Sequence, residues 1–246
     1  LISKAFDAVA DAARVIRRAC GIHGPEALPY SWQLMILAIR FGSDSSDLSK
    51  PETLEAVRLW LWLTTYGEVF AGVNSAIYDR SGAALADMIQ GGNWLAMERD
   101  VTRKVRPVTR FDFRAARAKA SALLMARYQD RGDLEGPAHQ ALAAGGSSLG
   151  LLQASGKRST WWHLAVVDEQ ASIIQYREAL QRRASGNPTE ADYQLLTRLG
   201  VPSDVQGSIP DLLAARRDRL KTEEQRFVSD LGLEWADADP VVDDQV

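Results

Sequence analysis

The amino-acid sequence predicts an all-α fold, a multi-helix array whose helices pack at steep angles. Apolar residues recur at spacings of three and four through most of the 246-residue chain, as the buried stripe of an amphipathic helix requires. No stretch of useful length alternates with the period of two that is typical of a strand, so we expect no sheet. Gly, Pro and Asn divide the chain into helix-length segments. The sequence leaves open whether these helices form one array or two lobes.

The first helix is predicted at residues 2–20, with one apolar stripe and therefore one buried face. The members of that stripe are Ile2, Phe6, Val9, Ala13, Ile16 and Cys20. Pro51 and Glu52, after Ser49, are typical of a helix start, because proline suits the first turn. Further helices are predicted at about 30–42, 51–66, 74–90, 94–101 and 112–127.

The second half of the chain has weaker periodicity and more glycine. We predict helices at about 161–183 and 210–231, with another starting at Thr189. The organisation expected is a helical lobe at 1–131, a Gly-rich connection at 132–158, a second helical lobe at 159–233 and an acidic tail at 234–246. The tail holds five acids and no base, a composition that favours disorder.

Composition limits the functional classes. The net charge is −3, so no global field points to nucleic acid or to a membrane surface. No run of about 18 apolar residues suggests a bilayer span. The single cysteine, Cys20, excludes an internal disulfide and suits a reducing compartment. We therefore expect a cytoplasmic protein without a membrane partner, in which Cys20 packs as a small hydrophobic residue.

The sequence contains no complete motif for catalysis or metal binding. Its three histidines, His23, His139 and His163, lie far apart in the chain and match no metal-ligand spacing. The glycine-rich segment 145–150 lacks the lysine of a phosphate-binding loop. We expect no metal site and no cofactor in this chain, and the sequence identifies no catalytic residue. A cryptic Mg²⁺-dependent nuclease that uses His139 or His163 stays open as an alternative.

A local excess of positive charge is the first candidate functional feature. From Arg99 to Arg131 there are ten Lys and Arg residues against three Asp and Glu. Clustered cations neutralise phosphates, and this term dominates affinity for nucleic acid. The candidate nucleic-acid-binding residues are Arg103, Lys104, Arg106, Arg110, Arg114, Arg117 and Lys119. Arg110, Arg114 and Arg117 are expected to share one helix face, and a solvated face or ion pairs with acids are the alternative explanation.

The Trp-rich segment 58–72 is the second unusual feature. Trp60 and Trp62 are two residues apart, so on a helix they point about 200° apart. Both sides of that helix must then contact apolar partners, which indicates a central, buried helix. Base stacking by these tryptophans is the functional alternative.

Four blocks of the chain together resemble one protein family. The segment Arg58-Leu59-Trp60-Leu61-Trp62-Leu63-Thr64-Thr65-Tyr66, followed by Phe70-Ala71-Gly72, resembles the hallmark of GmrSD-type bacterial restriction and anti-phage defence proteins. The hallmark residues are Arg58, Trp60, Trp62 and Gly72. Leu28-Pro29-Tyr30, the segment from Phe113 to Ala120, and the segment from Leu212 to Leu220 are similar to the opening, middle and closing helices of that family.

This resemblance implies a helical C-terminal domain of a prokaryotic, DNA-targeting defence protein. In the family, a ParB/sulfiredoxin-like N-terminal domain with an Asp-Gly-Gln-Gln-Arg motif hydrolyses nucleotide, and some members carry a His-Asn-His nuclease segment. Neither motif is present in this sequence. We therefore expect any chemistry to lie before Leu1, and this chain to engage DNA or regulate that N-terminal domain. The alternative is a scaffold or homo-oligomerisation module, suggested by the long last helix with Leu213, Leu220 and Phe227.

Overall fold

A computed structural model describes residues 2–43, 48–72, 74–153 and 160–236 and confirms the predicted all-α class. Short 3-10 helices at Pro25–Ala27, Leu95–Asp100, Leu142–Ser148 and Trp161–His163 connect the longer elements. The α-helices in chain order are α1 (Ile2–Cys20), α2 (Ser31–Ser43), α3 (Pro51–Tyr66), α4 (Ser75–Ile89), α5 (Ala116–Gln129), α6 (Pro137–Ala141), α7 (Ile173–Ala184), α8 (Glu190–Arg198) and α9 (Ile209–Asp230). Within the described ranges, no helix has both the length and the apolarity needed to cross a membrane.

The expectation that the chain forms no sheet is wrong. Strand β1 (Lys104–Val105) pairs in parallel with β4 (Glu234–Trp235), and β2 (Leu149–Leu151) pairs antiparallel with β3 (Leu164–Val166). Strands of two or three residues are too short to show an alternating pattern. The predicted acidic tail therefore begins inside β4, and residues 237–246 lie outside the described part of the chain.

Two predicted helices begin later than expected. Helix α5 starts at Ala116 rather than 112, because the Asp112 carboxylate accepts the backbone N–H of Arg114 and holds a turn there. The predicted helix 161–183 is a 3-10 turn, strand β3 and then α7. Here the Asp168 carboxylate accepts the N–H groups of Gln170 and Ala171, which turns the chain before Ser172 caps α7.

The predicted buried stripe of α1 is also partly wrong. Ile16 and Cys20 are buried, but Ile2, Phe6 and Val9 are exposed. The face that packs inward is instead rich in alanine and consists of Ala8, Ala12, Val15, Ile16, Ala19 and Cys20. Small residues allow α2 to approach closely, and a Cβ placed on Gly42 of α2 would lie 3.0 Å from the Ala8 Cβ.

Helix α3 is the centre of the larger of two hydrophobic clusters. Ten of its sixteen residues are buried, including Trp60 and Trp62, so the predicted central helix is confirmed. The larger cluster draws on α1–α6, the 3-10 segments and the end of α9, while the smaller one joins α7, α8 and the start of α9. Leu212 belongs to the smaller cluster and Leu220 to the larger. Helix α9 therefore ties the two halves of the core together.

Candidate nucleic-acid interface

The first part of the basic region is an extended segment that pairs with the short strand after α9. Val105 is buried, and its flanking residues Lys104 and Arg106 are exposed. The Glu234 N–H donates to the Arg103 carbonyl at 2.8 Å, and the Ala236 N–H donates to the Val105 carbonyl at 2.9 Å. The strand pairing and the buried Val105 side chain thus fix the backbone and direct the neighbouring cations into solvent.

Five of the seven predicted nucleic-acid-binding residues lie on this surface. We call Arg103, Lys104, Arg106, Arg110 and Arg114 the outer basic segment; all five are exposed. Arg103 pairs with Glu98, and Arg114 pairs with Asp112 at 2.6 Å. The Arg114 guanidinium lowers the pKa of the Asp112 carboxyl to about 2. Lys104, Arg106 and Arg110 form no ion pair with any described residue.

The other two predicted residues, Arg117 and Lys119, point into the protein. The Arg117 guanidinium lies 4.3 Å from the Tyr66 ring centre and donates to the Arg106 carbonyl at 3.2 Å. The Lys119 ammonium donates to the Leu28 carbonyl at 2.9 Å, and burial lowers its pKa. The expectation that Arg110, Arg114 and Arg117 share one helix face is wrong, because α5 begins only at Ala116.

Arg117 belongs to a buried polar network that composition does not reveal. Its Nη2 lies 3.5 Å from an oxygen of Glu224 in α9, whose side chain is only 3% exposed. The same Glu224 oxygen accepts hydrogen bonds from the Tyr66 hydroxyl at 3.1 Å and the Ser121 hydroxyl at 3.3 Å. Burial raises the pKa of Glu224, and Arg117 opposes that shift. The network joins α3, α5 and α9 and, through the Arg106 carbonyl, supports the outer basic segment.

A cleft of about 520 Å³ opens between α5 and α9. Its volume is in the range of small-molecule sites, roughly 300–1,000 Å³. Tyr128, Trp161 and Phe227 supply aromatic surface, and the cationic lining includes Arg127, Arg131 and Arg226. The Arg127 guanidinium lies 5.6 Å from the Phe227 ring centre, and Arg131 and Arg226 form no ion pair with a described residue. Glu223, Glu224 and Asp230 also line the cleft.

The sequence gives only a partial signal for this cleft. Arg127 and Arg131 lie within the charge excess identified above, but Arg226 follows almost a hundred residues later in the chain. Only the packing of α5 against α9 brings these arginines together with Trp161 and Phe227. The short separation of Arg127 and Arg131 was the one local hint, although Arg131 lies two residues beyond α5, with a φ of 54°.

Of the four hallmark residues, Trp60 and Trp62 are buried, Arg58 is half-buried and Gly72 is exposed. The Trp60 indole N–H donates to the Ser81 carbonyl at 3.0 Å, and Trp62 packs edge-on against Phe227 at 5.2 Å. Arg58 forms an ion pair with Glu55 and lines a cavity of about 240 Å³ beside Cys20. A Cβ on Gly72 would meet no atom within 4 Å. Both tryptophans are core residues, and neither presents a face for stacking a base.

The two histidines of the nuclease alternative lie in different surroundings. His139 is 1% exposed, and its Nδ1 lies 2.9 Å from Asp130, which also accepts the His139 backbone N–H at 2.9 Å. This carboxylate therefore caps the start of α6. Burial lowers the pKa of His163, and its Nδ1 has no hydrogen-bond partner. In the described part of the chain, no three or more His, Cys, Asp or Glu side chains are grouped as metal ligands.

Comparison with protein-family models, with curated proteins and with solved structures finds no match to this chain.

Proposed function

We propose that this helical protein binds nucleic acid, with the outer basic segment contacting phosphates. The observation that carries the proposal is that Lys104, Arg106 and Arg110 are exposed and form no ion pair with a described residue, Arg110 interacting with Asp112 only at longer range. A cation that forms no ion pair does not have to break one before it binds phosphate. Arg103 and Arg114 add two cations in exposed ion pairs, which contribute little to stability and exchange readily.

The α5–α9 cleft extends the same proposal from phosphates to bases. Grooves that bind single strands combine positive charge with aromatic side chains, on which bases of any sequence stack. The cleft has both components, in Arg131 and Arg226 and in the partly exposed Tyr128 and Phe227. This favours a single-stranded or locally opened nucleic acid over an undistorted duplex.

The resemblance to GmrSD-type proteins suggests the biological setting of this activity. It favours DNA as the nucleic acid and a prokaryotic, cytoplasmic defence or restriction system as the context. In that setting the chain would deliver DNA to a separate N-terminal nucleotide-hydrolysing domain. The salt-dependent contacts of the outer basic segment would then provide affinity, and the other domain would provide chemistry.

Fluorescence anisotropy with labelled single-stranded and duplex oligonucleotides tests the proposal. We expect the triple variant Lys104→Ala/Arg106→Ala/Arg110→Ala to bind at least tenfold more weakly at moderate salt. Each lost phosphate contact lowers the slope of log affinity against log salt by about one. The matched control, Lys4→Ala/Arg14→Ala/Arg18→Ala, removes the same charge from exposed positions on α1, and we expect a much smaller loss.

Two results would contradict the proposal. Equal losses in the two triple variants would mean that net charge alone controls binding. Affinity that does not change with salt would exclude phosphate contacts as its source.

The cleft has a separate test in Arg131→Ala/Arg226→Ala, which we expect to weaken single-strand binding more than duplex binding.

A further inference from the structure

The helix pair α1–α2 carries most of the large apolar side chains that remain exposed in the described chain. Ile2, Phe6 and Val9 of α1 are 74%, 72% and 42% exposed. Met35 and Ile39 of α2, which packs along α1, are 48% and 62% exposed. Only Leu95 and Ile174 complete the set in the described ranges. Single exposed apolar residues are ordinary, but a group of five on one helix pair marks an interaction surface.

The spacing of the α1 residues identifies the kind of partner. Ile2, Phe6, Val9, Ala13, Ile16 and Cys20 are separated alternately by four and three residues, which is the seam of a coiled coil. Ile16 and Cys20 are covered by the protein itself, whereas the first half of the same seam is open. We call Ile2, Phe6, Val9 and Ala13 the open seam. A seam of this spacing fits another helix.

Charge is absent from the open seam itself. At 100° per residue, Lys4, Asp7, Asp11, Arg14 and Arg18 point away from the open seam, and Arg17, which lies on the seam side one turn beyond Ala13, already pairs with Glu135. Ala5 and Ala10 lie at its edges. A helix that docks here therefore buries no charged residue of α1, and the flanking alanines allow close approach. An uncharged seam fits an equally uncharged one, such as its own copy.

We propose that the open seam is a homodimer interface, in which α1 packs antiparallel against α1 of a second copy of this chain. A two-fold axis between positions 7 and 8 places Phe6 opposite the partner's Val9, and Ile2 opposite the partner's Ala13. Each large side chain then meets a smaller one, as packing of knobs into holes requires. A two-fold interface repeats each contact, so the single stripe supplies both of its sides.

The available area agrees with a weak dimer. A fully exposed aromatic side chain carries roughly 150–250 Å², so the exposed fractions of Ile2, Phe6 and Val9 amount to at most about 400 Å² per copy. Two copies would bury about 800 Å², which is the range of weak and transient interfaces. The dimer is therefore expected to dissociate on dilution, and it does not depend on nucleic-acid binding.

Sedimentation equilibrium of the 246-residue chain over a wide concentration range tests the interface. We expect a reversible dimer whose dissociation constant rises at least tenfold in Phe6→Lys. Ile174→Lys is the matched control, because Ile174 is 61% exposed and lies on α7. We expect it to dimerise like the unchanged protein. Circular dichroism verifies that both variants remain folded, as substitution at exposed positions predicts.

Disulfide trapping tests the antiparallel register. Under mild oxidation, Phe6→Cys/Val9→Cys is expected to give a covalent dimer, because the two positions face each other across the axis. Phe6→Cys alone is expected to stay uncrosslinked, and Cys20 is buried and unavailable. Rapid crosslinking of Phe6→Cys alone would mean a parallel pair and would overturn the proposed geometry.

Two further results would overturn the proposal. One is a chain that stays monomeric at all concentrations, including a monomer that sediments with phosphatidylcholine vesicles, since the seam would then serve a lipid surface. The other is a dimer that Phe6→Lys and Ile174→Lys weaken equally, since the contact would then lie elsewhere on the protein.

Discussion

Arg106 and Arg110 project into solvent and form no ion pair with a described residue, whereas Arg117 and Arg216 are closed into the interior. All four belong to segments that look similarly basic in the sequence. The outer arginines are held only through their backbone, so their charge is available to a ligand. The inner arginines donate their hydrogen bonds to groups of the protein itself. The difference shows that the neighbours of an arginine, rather than the charge density of its sequence segment, decide whether it is available to a ligand or stabilises the fold.

Arg216 is the extreme case of the inner kind. Its side chain is 1% exposed and donates to three backbone carbonyls, those of Leu199 at 2.7 Å, Leu164 at 2.9 Å and Trp162. Burial lowers its pKa to about 9, so the guanidinium still carries its charge at neutral pH. It lies on α9 between the residues of the two hydrophobic clusters. Arg216 thus joins the two halves of the core at the point where the apolar residues of α9 pass from the smaller hydrophobic cluster to the larger one.

The largest effect is expected from Arg216→Met, which keeps most of the volume and removes the donors. Three buried carbonyls would lose their partner, at about 1–3 kcal/mol each, and we expect the free energy of unfolding to fall by about 4 kcal/mol. Urea unfolding measures this change. Arg106→Ala is the outer control, with an expected change within about 0.5 kcal/mol. A loss below about 1 kcal/mol in Arg216→Met would remove the distinction between the two kinds of arginine.

A smaller loss is expected from Arg117→Ala, which leaves the Glu224 carboxylate buried without its cation. Breaking a buried ion pair costs roughly 3–5 kcal/mol, but the Tyr66 and Ser121 hydroxyls still donate to Glu224. We therefore expect a loss of about 2–3 kcal/mol in urea unfolding. The double variant Arg117→Met/Glu224→Met should recover much of it, because no charge is then buried. A double variant less stable than Arg117→Ala would contradict this account.

The helical class, the bounds of α1 and the central position of the Trp-rich helix α3 follow from the sequence, because each rests on a pattern longer than two turns. The buried positions of the inner arginines do not follow from the sequence. Arg114 and Arg117 are only three residues apart in the same basic stretch, and the turn held by Asp112 sends Arg114 outward. Strands β1 and β4 are 130 residues apart in register, so no local signal predicts that they orient Lys104 and Arg106.

The exposure of Phe6 was equally hidden, for a different physical reason. Helix α1 has two apolar faces, one rich in alanine and one with the larger side chains. Hydrophobicity favours burying the larger face, but close packing against α2 selects the alanines. An apolar stripe in the sequence therefore does not by itself identify which face of the helix the fold buries.

The smallest effect, and the finest test of the inner network, is the pH dependence contributed by Glu224. Burial raises the pKa of this carboxyl in the folded state, so the folded protein favours the protonated form more than the unfolded chain does. Its contribution to stability is complete below the unfolded pKa and is lost as the pH rises through the raised folded pKa. Relative to Glu224→Gln, the unchanged protein should therefore lose stability as the pH rises above about 4, the ordinary pKa of a glutamate. Urea unfolding at several pH values measures the difference in stability between the two proteins. Removal of Arg117 should move the decline to higher pH, because that guanidinium lowers the Glu224 pKa.

A difference that stays constant, or that grows in favour of the unchanged protein with pH, would mean that Arg117 and the two hydroxyls fully compensate the burial of the Glu224 charge. The inner and outer arginines would then differ in exposure, but burial of the charges around the inner arginines would not reduce the stability of the protein.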